Sequence, residues 1–154
     1  MTSPAERLAA LGLTLPPVAA PGGAYVPAVR AGQFVYTAGQ LPTVGGKLSA
    51  VGKVGGRVSV PDAAGLARTC ALNALAAAAE AAGGLDAIRR IVKVTGFVAS
   101  APGFNSQPQV VNGASELLIE VFGEAGRHAR SAVGVAELPL DAPVEVELIA
   151  EISG

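Results

Sequence analysis

A chain of 154 residues that is 51% hydrophobic and 15% charged has the size and apolar content of one folded domain, not of a disordered or repetitive segment. Its 11 basic and 12 acidic residues leave a formal net charge of −1 with no run of either sign. That argues against nucleic acid as a partner, because neutralising phosphates needs a basic stripe. The lone Cys70 excludes an intrachain disulfide. Residues 1–7 carry no charged segment followed by an apolar one, so a cytoplasmic protein is expected. The most apolar stretch, Ala63 to Ala82, contains Arg68, Asn73 and Glu80, whereas a membrane span needs about 20 strongly apolar residues. Much of the apolar content is Ala and Val with few aromatics, so association with copies of the same chain is expected to supply burial that one core lacks.

Ser3-Pro4-Ala5-Glu6 has the form of a capping box, and predicts a short outer helix from Pro4 to Leu11 with Gly12 as its stop. A Pro- and Gly-rich connection over 13–24 leads to two strands, Tyr25 to Val29 and Phe34 to Ala38, around an Arg30-Ala31-Gly32-Gln33 turn. The Gly-rich stretch from Thr43 to Gly56 leaves room for one weak strand between Gly45-Gly46 and Gly55-Gly56. Asp62 to Ala82 is the clearest helix, entered through Pro61 and Asp62 and closed by Gly83-Gly84. Its stripe of Leu66, Cys70, Ala74, Ala77 and Ala81 makes Cys70 a small core residue.

A helical turn near Asp86 to Arg90 precedes a Val-rich strand, Ile91 to Ser100. Ser106-Gln107-Pro108-Gln109 carries a second capping signal for a helix that lines up Val111, Ala114, Leu118 and Val121 and ends by Gly126. Two strands close the chain, Arg130 to Glu137 and Val144 to Ile152. In the last, Val144, Val146, Leu148, Ala150 and Ile152 alternate with Glu145, Glu147 and Glu151. In the one before, Ser131, Val133 and Val135 alternate with Ala132, Gly134 and Ala136. The expected arrangement puts the branched side chains of both strands under two helices and the small ones on the opposite face. The order ββαβαββ makes the chain α+β, one domain over 1–154 with an extra N-terminal helix over 1–12.

The closing segment Ala129-Arg130-Ser131-Ala132-Val133, through Leu138-Pro139 to Val144-Glu145-Val146-Glu147, resembles the signature of the RidA/YjgF family, also called the L-PSP or translation-inhibitor family. Thr37-Ala38-Gly39-Gln40-Leu41-Pro42, Ala81-Ala82-Gly83 and the strand from Ile91 to Val98 are similar to further family segments, in the family's order. The resemblance implies a chorismate-mutase-like fold, a mixed sheet with two main helices on one face, assembled as a homotrimer with ligand clefts between subunits. It implies hydrolysis of 2-imino and 2-enamino acids, such as 2-aminoacrylate, to 2-keto acids and ammonia without metal or organic cofactor. By motif position, Arg130 is implied to bind the substrate carboxylate and Glu145 to position the water. Tyr25, Gly39 and Asn112 match further cleft positions, and the Ala132 amide is implied to lie beside the ligand. The chain departs from the pattern in carrying Ala38 where Ser is usual and Ala132 where Cys is common. It also has a longer loop from Ala101 to Gln107, features of a divergent branch.

The residues themselves suit those roles. A guanidinium grips a carboxylate through two parallel hydrogen bonds, and a carboxylate can shuttle the proton that imine hydrolysis requires. Each also has a plainer reading. Arg130 at a strand start is ordinarily solvated or salt-bridged, Glu145 is one of three Glu on a strand face, and Tyr25 serves equally as a strand-end anchor. Asn112-Gly113 inside a helix points first to close packing and second to a ligand contact. His128, the only histidine, is either an acid/base partner of Arg130 or a loop residue, and a metal site built on it lacks companions at ligand spacing. Two other functions stand beside the deaminase: a trimeric module that binds small carboxylates without turnover, and an endoribonuclease, which the charge disfavours.

Overall fold

A computed structural model describes residues 2–154. Helix α1 (Pro4–Ala10) begins with the expected box: Ser3 Oγ accepts from the Glu6 amide, and the Glu6 carboxylate accepts from the Ser3 amide. The Ala5 amide donates to the Asp86 carboxylate at 2.9 Å, and Leu8 is buried, so α1 is docked on the body of the fold.

Strands β1 (Ala28–Ala31) and β2 (Phe34–Thr37) form a hairpin. Its turn is tighter than the sequence suggests, because Gly32 takes a φ of +60° and reverses the chain at once. β1 begins at Ala28, not Tyr25, since Pro27 has no N–H to give to a ladder and only its carbonyl pairs, with the Ala38 amide. A small hairpin, β3 (Thr43–Val44) and β4 (Lys47–Leu48), turns through Gly45-Gly46. Helix α2 (Val60–Ala82) starts earlier than expected, because Ser59 supplies the cap by accepting from the Asp62 amide; Gly83, at φ +91°, ends it.

Strand β5 (Ile88–Ala99) is followed by α3 (Gln107–Phe122), β6 (Ala129–Val135) and β7 (Val144–Ile152). The Ser106 capping box does not form. At ψ 34° the Ser106 backbone is not extended, its hydroxyl caps nothing, and the Gln109 amide bonds the Ser106 carbonyl instead. Gln107 turns back, donating to the Phe104 carbonyl at 3.0 Å and to Ser100 Oγ at 3.1 Å, which pins the 101–107 loop. α3 stops at Phe122, ahead of Gly126, and a 3₁₀ turn spans Gly123–Gly126.

The main sheet runs β1-β2-β7-β5-β6, with β5 and β6 parallel and every other pair antiparallel. A parallel pair needs a crossover, and α3 is that crossover. Both long helices cover one face, which makes the α+β chorismate-mutase-like expectation correct. The β7 residues Val144, Val146, Leu148, Ala150 and Ile152 lie under the helices, and buried residues from Leu8 to Ile152 form one core cluster. In α2 the deepest stripe is Ala63, Ala67, Cys70, Ala71, Ala74 and Ala78, with Leu66 and Ala81 at its margin. No helix among the described residues is long and apolar enough to cross a membrane.

One expectation inverts. In β6 the small residues, not the branched ones, face the helices: Ala132 pairs with Gly96, which pairs with Val146 of the covered face, while Val133 pairs with Phe97 on the open face. The cause is steric. A Cβ on Gly96 would strike the Val111 side chain, and one on Gly113 would strike the Ala64 carbonyl, so α3 sits tightly on both the sheet and α2. Branched side chains from β6 have no room there. Val133 is left 42% exposed, on the same face as Phe34 and Tyr36.

Candidate functional site

Arg130 points from the covered side of β6 onto α3. Its Nη1 donates to Asn112 Oδ1 at 2.7 Å and to Ser115 Oγ at 3.2 Å, and its Nη2 donates to the Pro108 carbonyl at 3.4 Å. A guanidinium has five N–H groups. These three bonds leave Nε–H and one Nη2–H, a fork of the kind that grips a carboxylate.

Behind the arginine stands His128. Its Nδ1 lies 2.6 Å from the Gly126 carbonyl, which can only accept, so the neutral ring carries its proton there and Nε2 accepts from the Ser115 hydroxyl at 2.9 Å. Ser115 Oγ in turn accepts from Arg130, giving a continuous relay from Gly126 to the guanidinium. Burial pushes the His128 pKa below its ordinary 6.5, the Gly126 bond opposes this, and the Arg130 charge pushes down again. His128 thus touches Arg130 only through Ser115, bonding the hydroxyl that accepts from the guanidinium.

The sign of the pH effect follows. The folded protein binds a proton at His128 less readily than the unfolded chain, so stability is complete above the ordinary histidine range and falls as pH drops through it. Protonation also turns Nε2 from acceptor to donor and sets a cation beside Arg130. Protonation breaks the Ser115–Nε2 bond as it stands, so stability should fall by up to about 1 kcal/mol, the worth of one hydrogen bond, as pH drops through the folded-state pKa of His128. Ser115→Ala should flatten that dependence. Melting curves at several pH values check it, and a flat wild-type profile would overturn this account of the relay.

Glu145 lies elsewhere. It opens β7 beside Gly39, where any Cβ would strike its carboxylate; only glycine allows this approach. The carboxylate is half-buried and accepts no hydrogen bond from the described residues. Burial raises its pKa above the ordinary 4.5, and the Glu147 charge raises it further. Tyr25, Gly39 and Glu145 line one cleft of about 920 Å³, walled by the Pro16–Gly22 segment. Tyr25 sits in a bend before β1, and its hydroxyl accepts from the Gly22 amide at 3.0 Å, leaving its own proton free. Leu140 reaches the cleft mouth from a backbone at φ +60°, next to Asp141 at +61°, values uncommon outside glycine. Cys70 lies buried beneath, its thiol pKa pushed well up by burial and then by the Glu145 charge, and its Sγ donates to the Val144 carbonyl at 3.6 Å.

Within one chain the two groups do not meet. Arg130 shares a row with Val94 and Leu148 on the helix-covered face, whereas Glu145 shares a row with Phe97 and Val133 on the open face. Asn112, His128, Arg130 and Ala132 lie around α3 and β6; none of them lines the Glu145 cleft. β6 is an edge strand, so the outward backbone groups around Ala132 are unpaired in the single chain. Ser115 was missed in the sequence reading, although three positions after Asn112 it necessarily shares that helix face.

A mixed sheet with two long helices packed on one face defines an α+β, chorismate-mutase-like domain. Residues 5–152 match the profile of the family described as "YjgF/chorismate mutase-like, putative endoribonuclease", and the chain belongs to that family. It is similar to Protein TCP17 of Trypanosoma cruzi, 45% identical over 97% of this chain and 94% of that one. Among solved structures, protein Atu1372 of Agrobacterium tumefaciens is 49% identical, with a TM-score of 0.90 over 97% of this chain and 92% of its own. Escherichia coli TdcF with bound serine is 30% identical, with a TM-score of 0.65 over 91% of this chain and 96% of its own.

Proposed function

We propose that this protein is a cofactor-free hydrolytic deaminase of 2-imino and 2-enamino acids, such as 2-aminoacrylate, and that it works as a homotrimer. The observation that carries the reading is the separation of Arg130 and Glu145 onto opposite sheet faces, each with unused bonding capacity. A second copy, facing the first across β6 and the open sheet, brings the fork of one subunit to the carboxylate of the next. The open face supports such contact: Val29, Phe34, Tyr36 and Val133 are all exposed there. The bound serine of TdcF is a small molecule with the carboxylate that such a fork suits.

In this scheme Arg130 holds the substrate carboxylate and fixes C2 near Glu145. Glu145 takes a proton from water as the oxygen adds to the C=N carbon. It hands that proton to the nitrogen to give a carbinolamine, then takes the hydroxyl proton as the C=O bond forms and delivers it to the nitrogen as the C–N bond breaks, so a 2-keto acid and ammonia leave. Its raised pKa brings it nearer to the working pH and makes it a better base than an ordinary carboxylate. Binding without turnover shares Arg130 but leaves the isolated, half-buried Glu145 without a task. Ribonuclease activity has less support, since the net charge is −1 and the two clusters together hold one arginine.

The test is complementation. Arg130→Ala and Glu145→Gln, each expected to be inactive with dehydratase-generated 2-aminoacrylate, are unfolded together and refolded as mixed trimers. Random assembly pairs an intact Arg130 with an intact Glu145 at about one quarter of the interfaces, and that share of wild-type activity should return. No recovery, from a mixture shown by light scattering to be trimeric, would refute the shared cleft. A wild type that accelerates no imino acid would refute the deaminase.

A further inference from the structure

Beyond Glu145 the cleft holds two buried amides that the hydrolytic step does not use. Gln40 and Asn73 are each only 7% exposed, and both line the Glu145 cleft. Asn73, projecting from the Ala-rich α2, commits its Nδ2 to the Leu41 and Thr43 carbonyls, both at 3.0 Å, and so staples the segment after Gln40. Its Oδ1 has no partner among the described residues. The Gln40 backbone is bridged to Val146, the neighbour of Glu145, by bonds of 2.8 and 3.0 Å. Its side-chain Oε1 and Nε2 make no hydrogen bond with the described residues. No buried side-chain polar atom among those residues is both sealed and unpartnered, so these amide atoms reach open space, and the space that Gln40 and Asn73 share is the cleft.

We infer that Gln40 and Asn73 form a side-chain subsite that selects 2-imino acids ending in an uncharged carboxamide; this rests on the deaminase reading above. A carboxamide offers its NH₂ to Asn73 Oδ1 and Gln40 Oε1 and its carbonyl to Gln40 Nε2. An apolar side chain of the same length leaves all three buried groups without partners, and such a loss is the strongest source of discrimination a pocket has. A second carboxylate meets no Lys or Arg in the lining and is repelled by Glu145. At about 920 Å³ the cleft has space well beyond a three-carbon substrate.

The experiment compares L-glutamine with L-methionine, a near-isostere that lacks the amide. Each is converted to its imino acid by an L-amino acid oxidase, and kcat/KM is measured for wild type and for Gln40→Met. The wild-type ratio should favour the glutamine product by about tenfold or more, and Gln40→Met should bring the ratio close to one. A wild-type ratio near one, or a preference that persists in Gln40→Met, overturns the subsite, and the wild-type ratio alone decides if the variant does not fold. If no imino acid is accelerated, the deaminase reading fails, and calorimetric titration with the free amino acids takes over. Tighter binding of L-glutamine than of L-methionine then supports the subsite, and equal or absent binding refutes it.

Discussion

Arg130→Lys is expected to raise KM for a 2-imino acid about a hundredfold while leaving kcat within a few-fold. The guanidinium spends three N–H groups on Asn112, Ser115 and Pro108 and presents the remaining two as a fork. Lysine has three donors at a single point, so it cannot keep the α3 contacts and present two parallel bonds at once. Two charge-assisted bonds reduced to one costs ~2–3 kcal/mol, or about two orders of magnitude in affinity. The contact is made to a carboxylate that does not react, so ground state and transition state lose it equally, and the loss falls on KM. Steady-state kinetics and calorimetry with a 2-keto acid both read it. An unchanged KM would mean that Arg130 merely ties β6 to α3.

The motifs proposed to carry the chemistry were legible because they are local. Arg130-Ser131 and Val144-Glu145 each sit on a strand with clear alternation, and their rows are set by register. What one chain's sequence concealed was the direction each residue faces relative to the other. That depends on the phase of β6, and Gly96 and Gly113 decide it by letting α3 settle close enough to exclude branched side chains. Strand alternation alone left two phases open, and the more apolar one was the wrong choice. The Ser115–His128 relay was hidden for a related reason. Its parts lie 13 residues apart on different elements, and their meeting depends on the 3₁₀ turn at Gly123–Gly126. The Ser106 cap failed because Gln107 found better partners in Ser100 and Phe104 across the loop, a tertiary contact outweighing a local signal.

Glu145→Gln should separate activity from stability. Amide and carboxylate have nearly the same shape, so the substituted side chain fits beside Gly39 and substrate binding through Arg130 persists. What disappears is the proton acceptor, and kcat should fall by about 10²–10⁴-fold, the usual worth of a positioned acid–base group. Stability should move the other way. The folded-state pKa of Glu145 is raised, so the folded protein holds that proton more tightly than the unfolded chain. The resulting penalty is absent below the unfolded carboxylate pKa and grows as pH rises through the folded value. Solvent screening of a half-exposed group keeps it below ~1 kcal/mol. The substitution should therefore raise Tm by up to about 3 °C at pH 7 and by nothing near pH 3. A variant that is slower and more stable has lost a working group, whereas one that is slower and less stable has lost a structural one. Melting curves at the two pH values, beside single-turnover rates, distinguish these cases. A lowered Tm at pH 7 would identify Glu145 as a structural residue with no catalytic part.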